Sequence, residues 1–311
     1  TGLLVDSARA ATKTGSESLD PRPPHFPARA KRIIFLFMHG GPSHLDSFDP
    51  KPMLDRDNGK LLSSVLSGQS AGPGAKLLSS RWKFHQRGAS GLEISDLFPR
   101  IARSADDLCL IRSLHTDGQD HGQAVLNLHT GSNRQVRPSL GSWLIYGLGT
   151  ENQNLPGFIT ISPPTLNGGP QNYGSAFLPT VFQGTPIGTE GASLDDAQIR
   201  NIRNPFLTRE DQRKQLDLLQ SMNREHLQTA RQDRQLEGLI ESYELAFRMQ
   251  SAAPKATDLR SESNATLQLY GIDEPTTDSF GRQCLLARRF AQQGVRFIQV
   301  NHPFKWDQHQ N

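Results

Sequence analysis

Three short stretches of the sequence combine histidine with carboxylate side chains: HGGPSHLDSFD at 39–49, HTDGQDH at 115–121 and NHPFKWDQH at 301–309. Six of the ten histidines lie in these stretches, so a shared site is favoured over scattered surface histidines. Mixed imidazole and carboxylate ligands suit zinc, manganese or iron better than calcium. The sequence therefore predicts a metal site, and its candidate ligands are His39, Asp46, Asp117, His121, Asp307 and His309.

Each stretch directly follows a short apolar run that is typical of a buried strand. The runs are IIFLFM at 33–38, LCLIRSL at 108–114 and VRFIQV at 295–300. Because sites in open α/β sheets form at the carboxyl ends of the strands, these three ends are expected to lie side by side. Asp46, His121 and Asp307 would then converge on one face of the sheet.

Taken one at a time, the candidate residues have simpler interpretations. His39 beside Gly40-Gly41 is also consistent with an ordinary turn residue, and His44 with a surface histidine. Asp46 is also consistent with a helix N-cap. His129, next to the helix-ending Thr130-Gly131, is interpreted as structural. No phosphate-binding P-loop occurs in the sequence, and Gly40-Gly41-Pro42-Ser43 is too short to form one.

The remaining patterns predict the elements that would position this site. A strand is expected at 157–162, and helix, glycine and strand follow one another from Asp278 through Gly294 to VRFIQV, which is half of a βαβ unit. This order predicts an α/β fold with a mainly parallel sheet flanked by helices. The predicted helices cover 94–108, 121–131, 139–149 and 206–250, the last as two helices or one interrupted helix.

Composition divides the chain into a leader and one domain. Residues 1–31 are expected to form an exported protein's leader or a disordered arm, because Ala8-Arg9-Ala10 resembles the tail of an export signal and PRPPHFP disfavours helix. Residues 32–311 form the domain, and the Pro-, Gly-, Asn- and Thr-rich region 163–205 is expected to be an ordered loop insertion near the site.

Charge and hydropathy limit the kinds of partner that the sequence supports. The net charge of +3, from 34 basic and 31 acidic residues, gives no reason to expect that the protein binds nucleic acid. No apolar stretch approaches the roughly 20 residues that a transmembrane helix needs. Both cysteines, Cys109 and Cys284, stand in apolar runs and are expected to be buried free thiols.

Several longer blocks occur together: MHGGPSHLDSFDPKP, HTDGQDH with its later TG, RPSLGSWLIYGLGTENQNLPGF, YELAFRMQ, and SFGRQCLLARRFAQQGVRFIQV with WDQH. In this order they closely resemble the bacterial family catalogued as domain of unknown function 1501, which is abundant in planctomycetes and often exported by the twin-arginine route. The resemblance runs from about residue 31 to the end of the sequence.

The resemblance implies the alkaline-phosphatase-like superfamily, which includes sulfatases, phosphodiesterases and phosphomutases. Its fold is a mostly parallel sheet flanked by helices, with a site for two divalent ions, here zinc or manganese, at the strand ends. Asp46 corresponds to the aspartate after the first strand, and Asp307 and His309 to a later Asp/His pair. The stretch 116–121 resembles the place of the nucleophile, where Thr116 supplies the hydroxyl and Asp117 lies nearer the expected offset.

The implied activity is metal-dependent hydrolysis of a phosphate or sulfate ester, on a small-molecule or glycan substrate, in the periplasm or outside the cell. One alternative is a non-catalytic exported protein that uses the fold to bind glycans or a protein partner. Another is a metal-binding or redox accessory protein. Family members continue with an EFGR-like segment and a further Asp-His motif. We therefore expect the C-terminal part of the domain to be missing and this chain alone to be inactive.

Overall fold

The structure is a computed structural model, and it describes residues 19–62, 74–118, 120–192, 194, 199, 202, 204–229, 234–303 and 306–307. The chain divides into two compact units. The sheet unit comprises Thr1–His39 and Thr116–Lys305, and the hairpin unit comprises Gly40–His115 and Trp306–Asn311.

The regular elements are numbered in chain order. The strands are β1 (Ile33–Met38), β2 (Phe84–Arg87), β3 (Leu92–Ser95), β4 (Phe158–Ile161), β5 (Thr185–Ile187) and β6 (Phe297–His302). The α-helices are α1 (His44–Ser47), α2 (Pro52–Asp57), α3 (His121–Thr130), α4 (Leu140–Leu148), α5 (Arg209–Thr229), α6 (Arg234–Thr257), α7 (Asn264–Leu269) and α8 (Asp278–Gln292). Short 3-10 segments lie at Ile101–Asp107, Gly169–Tyr173, Thr180–Phe182 and Leu259–Ser261.

The sheet unit is built on a four-stranded sheet with the order β1-β6-β4-β5. Its strand pairs are all parallel, and Met38 of β1 is the register partner of His302 of β6. The predicted α/β fold with a mainly parallel sheet is therefore confirmed, as are the strands in IIFLFM, GFITIS and VRFIQV. The strands β4 and β6 are buried along almost their whole length, as continuous apolar runs in a parallel sheet predict. Ile33, Ile34 and Leu36 of the edge strand β1 are exposed instead, which corrects the prediction that IIFLFM is a buried strand.

Helices flank this sheet and pack on it through close contacts. On one face, Phe158 and Phe297 are register partners whose rings meet edge to face at 5.0 Å, and Gly141 of α4 lies directly on them. Leu286 and Phe290 of α8 are fully buried in the same core. The helices predicted at 121–131 and 139–149 are confirmed as α3 and α4.

The predicted helical region at 206–250 is present as two helices, α5 and α6, and the second extends to Thr257. Arg213 of α5 donates two hydrogen bonds of 2.8 Å to the carboxylate of Glu244 on α6. Gln220 is fully buried between the helices, where its amide donates to the carbonyl oxygen of Ile240. Polar contacts therefore fix how the two helices pair.

The sequence missed β5, which lies inside the region 163–205 expected to be a loop insertion. It has three residues, with Pro186 in the middle, and it pairs with β4 at the edge of the sheet. Proline is tolerated at such an edge because its missing N–H faces away from the neighbouring strand. A run this short, with a proline inside it, carries no strand signal in the sequence.

Two predictions in the hairpin unit are wrong. LCLIRSL at 108–114 is not a strand, and Leu108, Ile111 and Leu114 are 41%, 59% and 77% exposed. The helix predicted at 94–108 is replaced by the end of β3 and the 3-10 segment Ile101–Asp107. An apolar run becomes a strand only where an edge is available for pairing, and periodicity alone does not supply that edge.

The hairpin unit consists of the antiparallel pair β2 and β3 packed on its own small core. Ile94, Ala102 and Ala105 are buried there, and the rings of Phe48 and Phe98 stack on each other at 5.4 Å. Asp106 closes the hairpin by accepting hydrogen bonds from the backbone N–H groups of Ala89 and Ser90.

The described part of the predicted leader is attached to the sheet unit. Leu19 is 4% exposed, and its carbonyl oxygen accepts a hydrogen bond from the N–H of Thr150 at 2.8 Å. The N–H of Arg22 donates to the carbonyl oxygen of Leu148 at 3.0 Å. Residues 19–22 are therefore packed against the end of α4, which corrects the prediction of a disordered arm there. Among the described residues, no helix is long and apolar enough to cross a membrane.

Candidate functional site

His39 lies at the carboxyl end of β1 and is 1% exposed. Its Nδ1 is 3.4 Å from Oε1 of Glu190, and its Nε2 is 2.9 Å from the side-chain nitrogen of Asn167. Because the Asn167 amide can only donate, Nε2 accepts and the ring proton stays on Nδ1, facing the carboxylate. The hydrogen-bond partners therefore assign the tautomer of His39.

The two partners of His39 come from loops that follow neighbouring strands. Asn167 lies in the loop after β4 and adopts a left-handed backbone conformation with φ of 51°. Glu190 follows β5, and its N–H donates to the carbonyl oxygen of Pro163 at 3.2 Å. Both residues belong to the region 163–205. His39 consequently links the carboxyl ends of β1, β4 and β5.

Burial is the main electrostatic influence on His39. It lowers the pKa of the imidazole, and the nearby His121 lowers it further, while Glu190 acts in the opposite direction. Desolvation disfavours the charged imidazolium more than the carboxylate favours it. At neutral pH the ring is therefore uncharged, with its Nε2 lone pair directed at Asn167.

Thr116 and Asp117 are exposed and lie beside α3. The hydroxyl oxygen of Thr116 accepts a hydrogen bond from the N–H of Gly118 at 3.2 Å and one from the side-chain amide of Asn127 at 2.5 Å. The helix itself begins at His121, where the Asp120 carboxylate accepts from the N–H of Gln123 at 3.0 Å. Thr116, five positions before His121 at the start of α3, therefore belongs to the same local structure as this helix.

The carboxyl ends of β4 and β6 are joined by buried polar side chains. Asn301 donates to the carbonyl oxygen of Ile161 at 2.7 Å and to the hydroxyl of Thr160 at 3.0 Å. Gln299 donates to the side-chain oxygen of Asn301 at 2.8 Å. Buried polar groups that are bonded in this way stiffen a sheet edge, and Asn301 is thus a structural residue.

His129 is buried between aromatic rings, as its structural interpretation predicts. Its ring meets Phe37 edge to face at 4.6 Å and Phe35 at 5.6 Å. Nδ1 donates to the carbonyl oxygen of Val125 at 2.9 Å, and Nε2 makes no hydrogen bond to the described residues. Desolvation lowers the pKa of His129 to about 4, so its ring is neutral in the folded protein at pH 7.

Asp46 and Asp307 belong to the hairpin unit. Asp46 is half-buried inside α1, where Ser43 occupies the N-cap position, so Asp46 is not an N-cap. Asp307 lies against Gly40, because a side chain on this glycine would come within 2.6 Å of the Asp307 backbone nitrogen. His309 lies outside the described residues. The convergence of Asp46, His121 and Asp307 stays a prediction.

Comparison with known proteins places the chain in a family. The sequence profile of the family described as "Protein of unknown function (DUF1501)" matches residues 30–311. The chain belongs to the DUF1501 family. No curated protein and no solved structure matches the chain.

The DUF1501 match includes every candidate residue of the sheet unit: His39, Thr116, Asp117 and His121. His39, His121 and Glu190 are of the donor types that zinc or manganese accepts. Within the described part of this DUF1501 chain, however, no three His, Cys, Asp or Glu side chains form a group that could hold a metal ion. Nε2 of His39 is bonded to Asn167 instead.

Asn127, Asn167 and Glu190 were not among the residues predicted for the site of this DUF1501 chain. Asn127 stands in the middle of a helical pattern, and the other two lie in a loop-like region far from His39 in sequence. The sequence Asn167-Gly168-Gly169 is the signal that could have indicated a turn at this place. Asparagine and glycine are the residues that adopt left-handed backbone conformations, and all three have positive φ.

Proposed function

We propose that this DUF1501 protein is an exported, metal-dependent hydrolase of phosphate or sulfate esters, with Thr116 as the nucleophile. The observation that carries the proposal is the buried, neutral His39 between Glu190 and Asn167 at the carboxyl edge of the sheet. Histidine ligands of metals are characteristically neutral and present their second nitrogen to a carboxylate. The Nε2 lone pair that now accepts from Asn167 is the one that a metal ion would take.

The reaction follows from the groups around Thr116. Its hydroxyl oxygen would attack the phosphorus or sulfur atom in line with the ester bond, losing its proton as the new bond forms. The leaving alkoxide takes up that proton through the solvent and departs as the alcohol. Water then hydrolyses the ester formed on Thr116, which releases phosphate or sulfate and restores the threonine hydroxyl. When bound, divalent ions supply charge that stabilises the ester oxygens. The N–H donors of Gly118 and Asn127 already face the Thr116 oxygen.

A second candidate function is non-catalytic binding of glycans or a protein partner outside the cytoplasm. It is favoured by the bond between Asn167 and His39, which occupies Nε2 with a protein group. In this case the polar edge of the sheet would be a structural feature that holds the loops after β4 and β5.

Bound metal and ester hydrolysis distinguish the two candidates. The full-length gene product is purified, its zinc and manganese contents are measured, and turnover is followed with p-nitrophenyl phosphate and p-nitrophenyl sulfate. Thr116→Ala should abolish turnover, by about a thousandfold or more, and His39→Ala should lower the metal content. The control His25→Ala, at an exposed position, should change neither. Absence of turnover in the wild type, or equal turnover in Thr116→Ala, would reject the proposal.

A further inference from the structure

The loop that carries Thr116 is held on the surface of α3 by its own backbone. Gly118 approaches the helix so closely that a Cβ there would lie 2.6 Å from the backbone nitrogen of Ala124. The N–H of Gly118 also returns to the Thr116 oxygen, closing a tight turn of the kind that threonine hydroxyls form two residues along. The glycine thus sets the distance between the loop and the helix.

The side chain of Asn127 adds a contact from the helix itself. Asn127 lies near the C-terminal end of α3 and is half-buried, and its amide donates to the Thr116 oxygen at 2.5 Å. Since a hydroxyl oxygen has two lone pairs, the bonds from Gly118 and Asn127 occupy both of them. The hydroxyl proton is then the one group on this oxygen left for an outside acceptor.

We infer that Asn127 is a positioning residue for Thr116: it fixes the direction of the hydroxyl and stabilises the oxygen after the proton leaves. The inference rests on the proposed function. Hydrogen bonds donated to an ionised oxygen favour the ionised form, and charge-assisted bonds are about twice as strong as neutral ones. When the proton departs, the lone pair that it leaves behind points away from Asn127 and Gly118 and is free to attack the substrate.

The chemistry of asparagine makes this role specific. A carboxylate at position 127 would accept instead of donate and would repel an ionised Thr116 oxygen. Among the described residues, an alanine at position 127 would leave the N–H of Gly118 as the one donor to the Thr116 oxygen. Neither substitution removes a backbone hydrogen bond of the helix. The N–H of Gly131 donates to the backbone carbonyl oxygen of residue 127 at 2.8 Å, and a change of side chain leaves this oxygen in place.

The experiment compares Asn127→Ala, Asn127→Asp and the control Gln123→Ala, an exposed amide on the same helix. Steady-state kinetics with p-nitrophenyl phosphate and sulfate are measured against pH in the full-length protein, and amide hydrogen exchange reports on Gly118. We expect Asn127→Ala to lower kcat about 100-fold with little change in KM, as when one donor to a developing oxyanion is removed. Its kcat profile should shift to higher pH, and Asn127→Asp should be at least as impaired.

A residue that merely anchors the loop would accelerate Gly118 exchange without moving the pH profile. That result, or wild-type kinetics in Asn127→Ala, would overturn the inference while leaving the proposed hydrolase intact. If the wild-type protein hydrolyses neither ester, the proposed function fails instead, and faster Gly118 exchange in Asn127→Ala then assigns Asn127 to anchoring alone.

Discussion

Nδ1 of His39 lies 3.4 Å from Oε1 of Glu190, although the two residues are 151 positions apart in the sequence. The contact joins the residue after β1 to the loop after β5, at opposite edges of the four-stranded sheet. Because the imidazole is buried and its Nδ1 proton faces the carboxylate, Glu190 is needed to satisfy a donor that water does not reach.

Removal of the Glu190 carboxylate should therefore destabilise the sheet unit. Glu190→Ala leaves the Nδ1–H group of His39 buried without its acceptor, which costs about 1–3 kcal/mol. Glu190→Gln keeps a side-chain oxygen at the same place and should cost less. Urea unfolding at pH 7, followed by circular dichroism, measures both variants. Equal stabilities of the two variants would show that His39 does not depend on this acceptor.

Acid should destabilise the fold through His129. Burial lowers its pKa to about 4 in the folded state, against an ordinary value of 6.5 in the unfolded chain. Below pH 6.5 the unfolded chain therefore binds more protons, and the free energy of unfolding falls as the pH drops from 6.5 towards 4. A shift of this size corresponds to a loss on the order of 3 kcal/mol.

The control for this pH effect is His129→Gln, which keeps a polar side chain but does not titrate. Urea unfolding of both proteins at pH 7 and pH 4.5 gives the comparison. The wild type should lose more stability between the two pH values than the variant, by roughly 2–3 kcal/mol. Parallel losses in the two proteins would place the acid sensitivity elsewhere.

The strands that the sequence predicts well are those with continuous apolar runs. IIFLFM and VRFIQV are predicted as strands from their apolar side chains alone, but only VRFIQV is buried along its length. Ile33, Ile34 and Leu36 of the edge strand β1 are exposed. LCLIRSL is also mainly apolar but forms no strand, and Thr185–Ile187 forms one with a proline inside it. The difference lies in whether a sheet edge is available for pairing, which is a non-local property.

The same distinction applies to the candidate site. The sequence indicates His39 because it directly follows a predicted strand and opens a stretch rich in histidine and carboxylate side chains. It does not indicate the partners Asn167 and Glu190, because each reaches His39 through a loop whose path depends on the packing of β4 and β5. A sequence pattern indicates which residue ends a strand. Which side chains the loops bring to that residue depends on contacts that form only when the chain folds.

The two cysteines should differ in reactivity towards alkylating reagents. Cys109 is exposed, which corrects the prediction of a buried thiol, whereas Cys284 on α8 is half-buried and packs against the core. Burial raises the pKa of Cys284 to about 11, so little of the reactive thiolate is present at pH 8. Iodoacetamide at pH 8, followed by peptide mass spectrometry, should modify Cys109 first and Cys284 after addition of urea. If the two cysteines of the folded protein were alkylated at comparable rates, the burial of the Cys284 thiol would be contradicted.

Two glycines of α4 should respond in opposite directions to the same substitution. A Cβ on Gly141 would lie 2.6 Å from two ring carbons of Phe158 and 2.7 Å from one of Phe297, both in the centre of the sheet. A Cβ on Gly147, further along the same helix, meets no atom within 4 Å. Gly141→Ala must therefore push α4 away from β4 and β6, which costs about 1–3 kcal/mol as other overpacked cores do.

Gly147→Ala should instead stabilise the protein by about 0.5–1 kcal/mol, because alanine loses less backbone entropy than glycine when a helix forms. Thermal unfolding of both variants and the wild type provides the measurement, and Gly147→Ala serves as the matched control for helix propensity. Since both substitutions replace glycine by alanine in α4, the gap between the two variants reports mainly the contact of Gly141 with the sheet. If Gly141→Ala were as stable as Gly147→Ala, α4 would not rest on Phe158 and Phe297 as described.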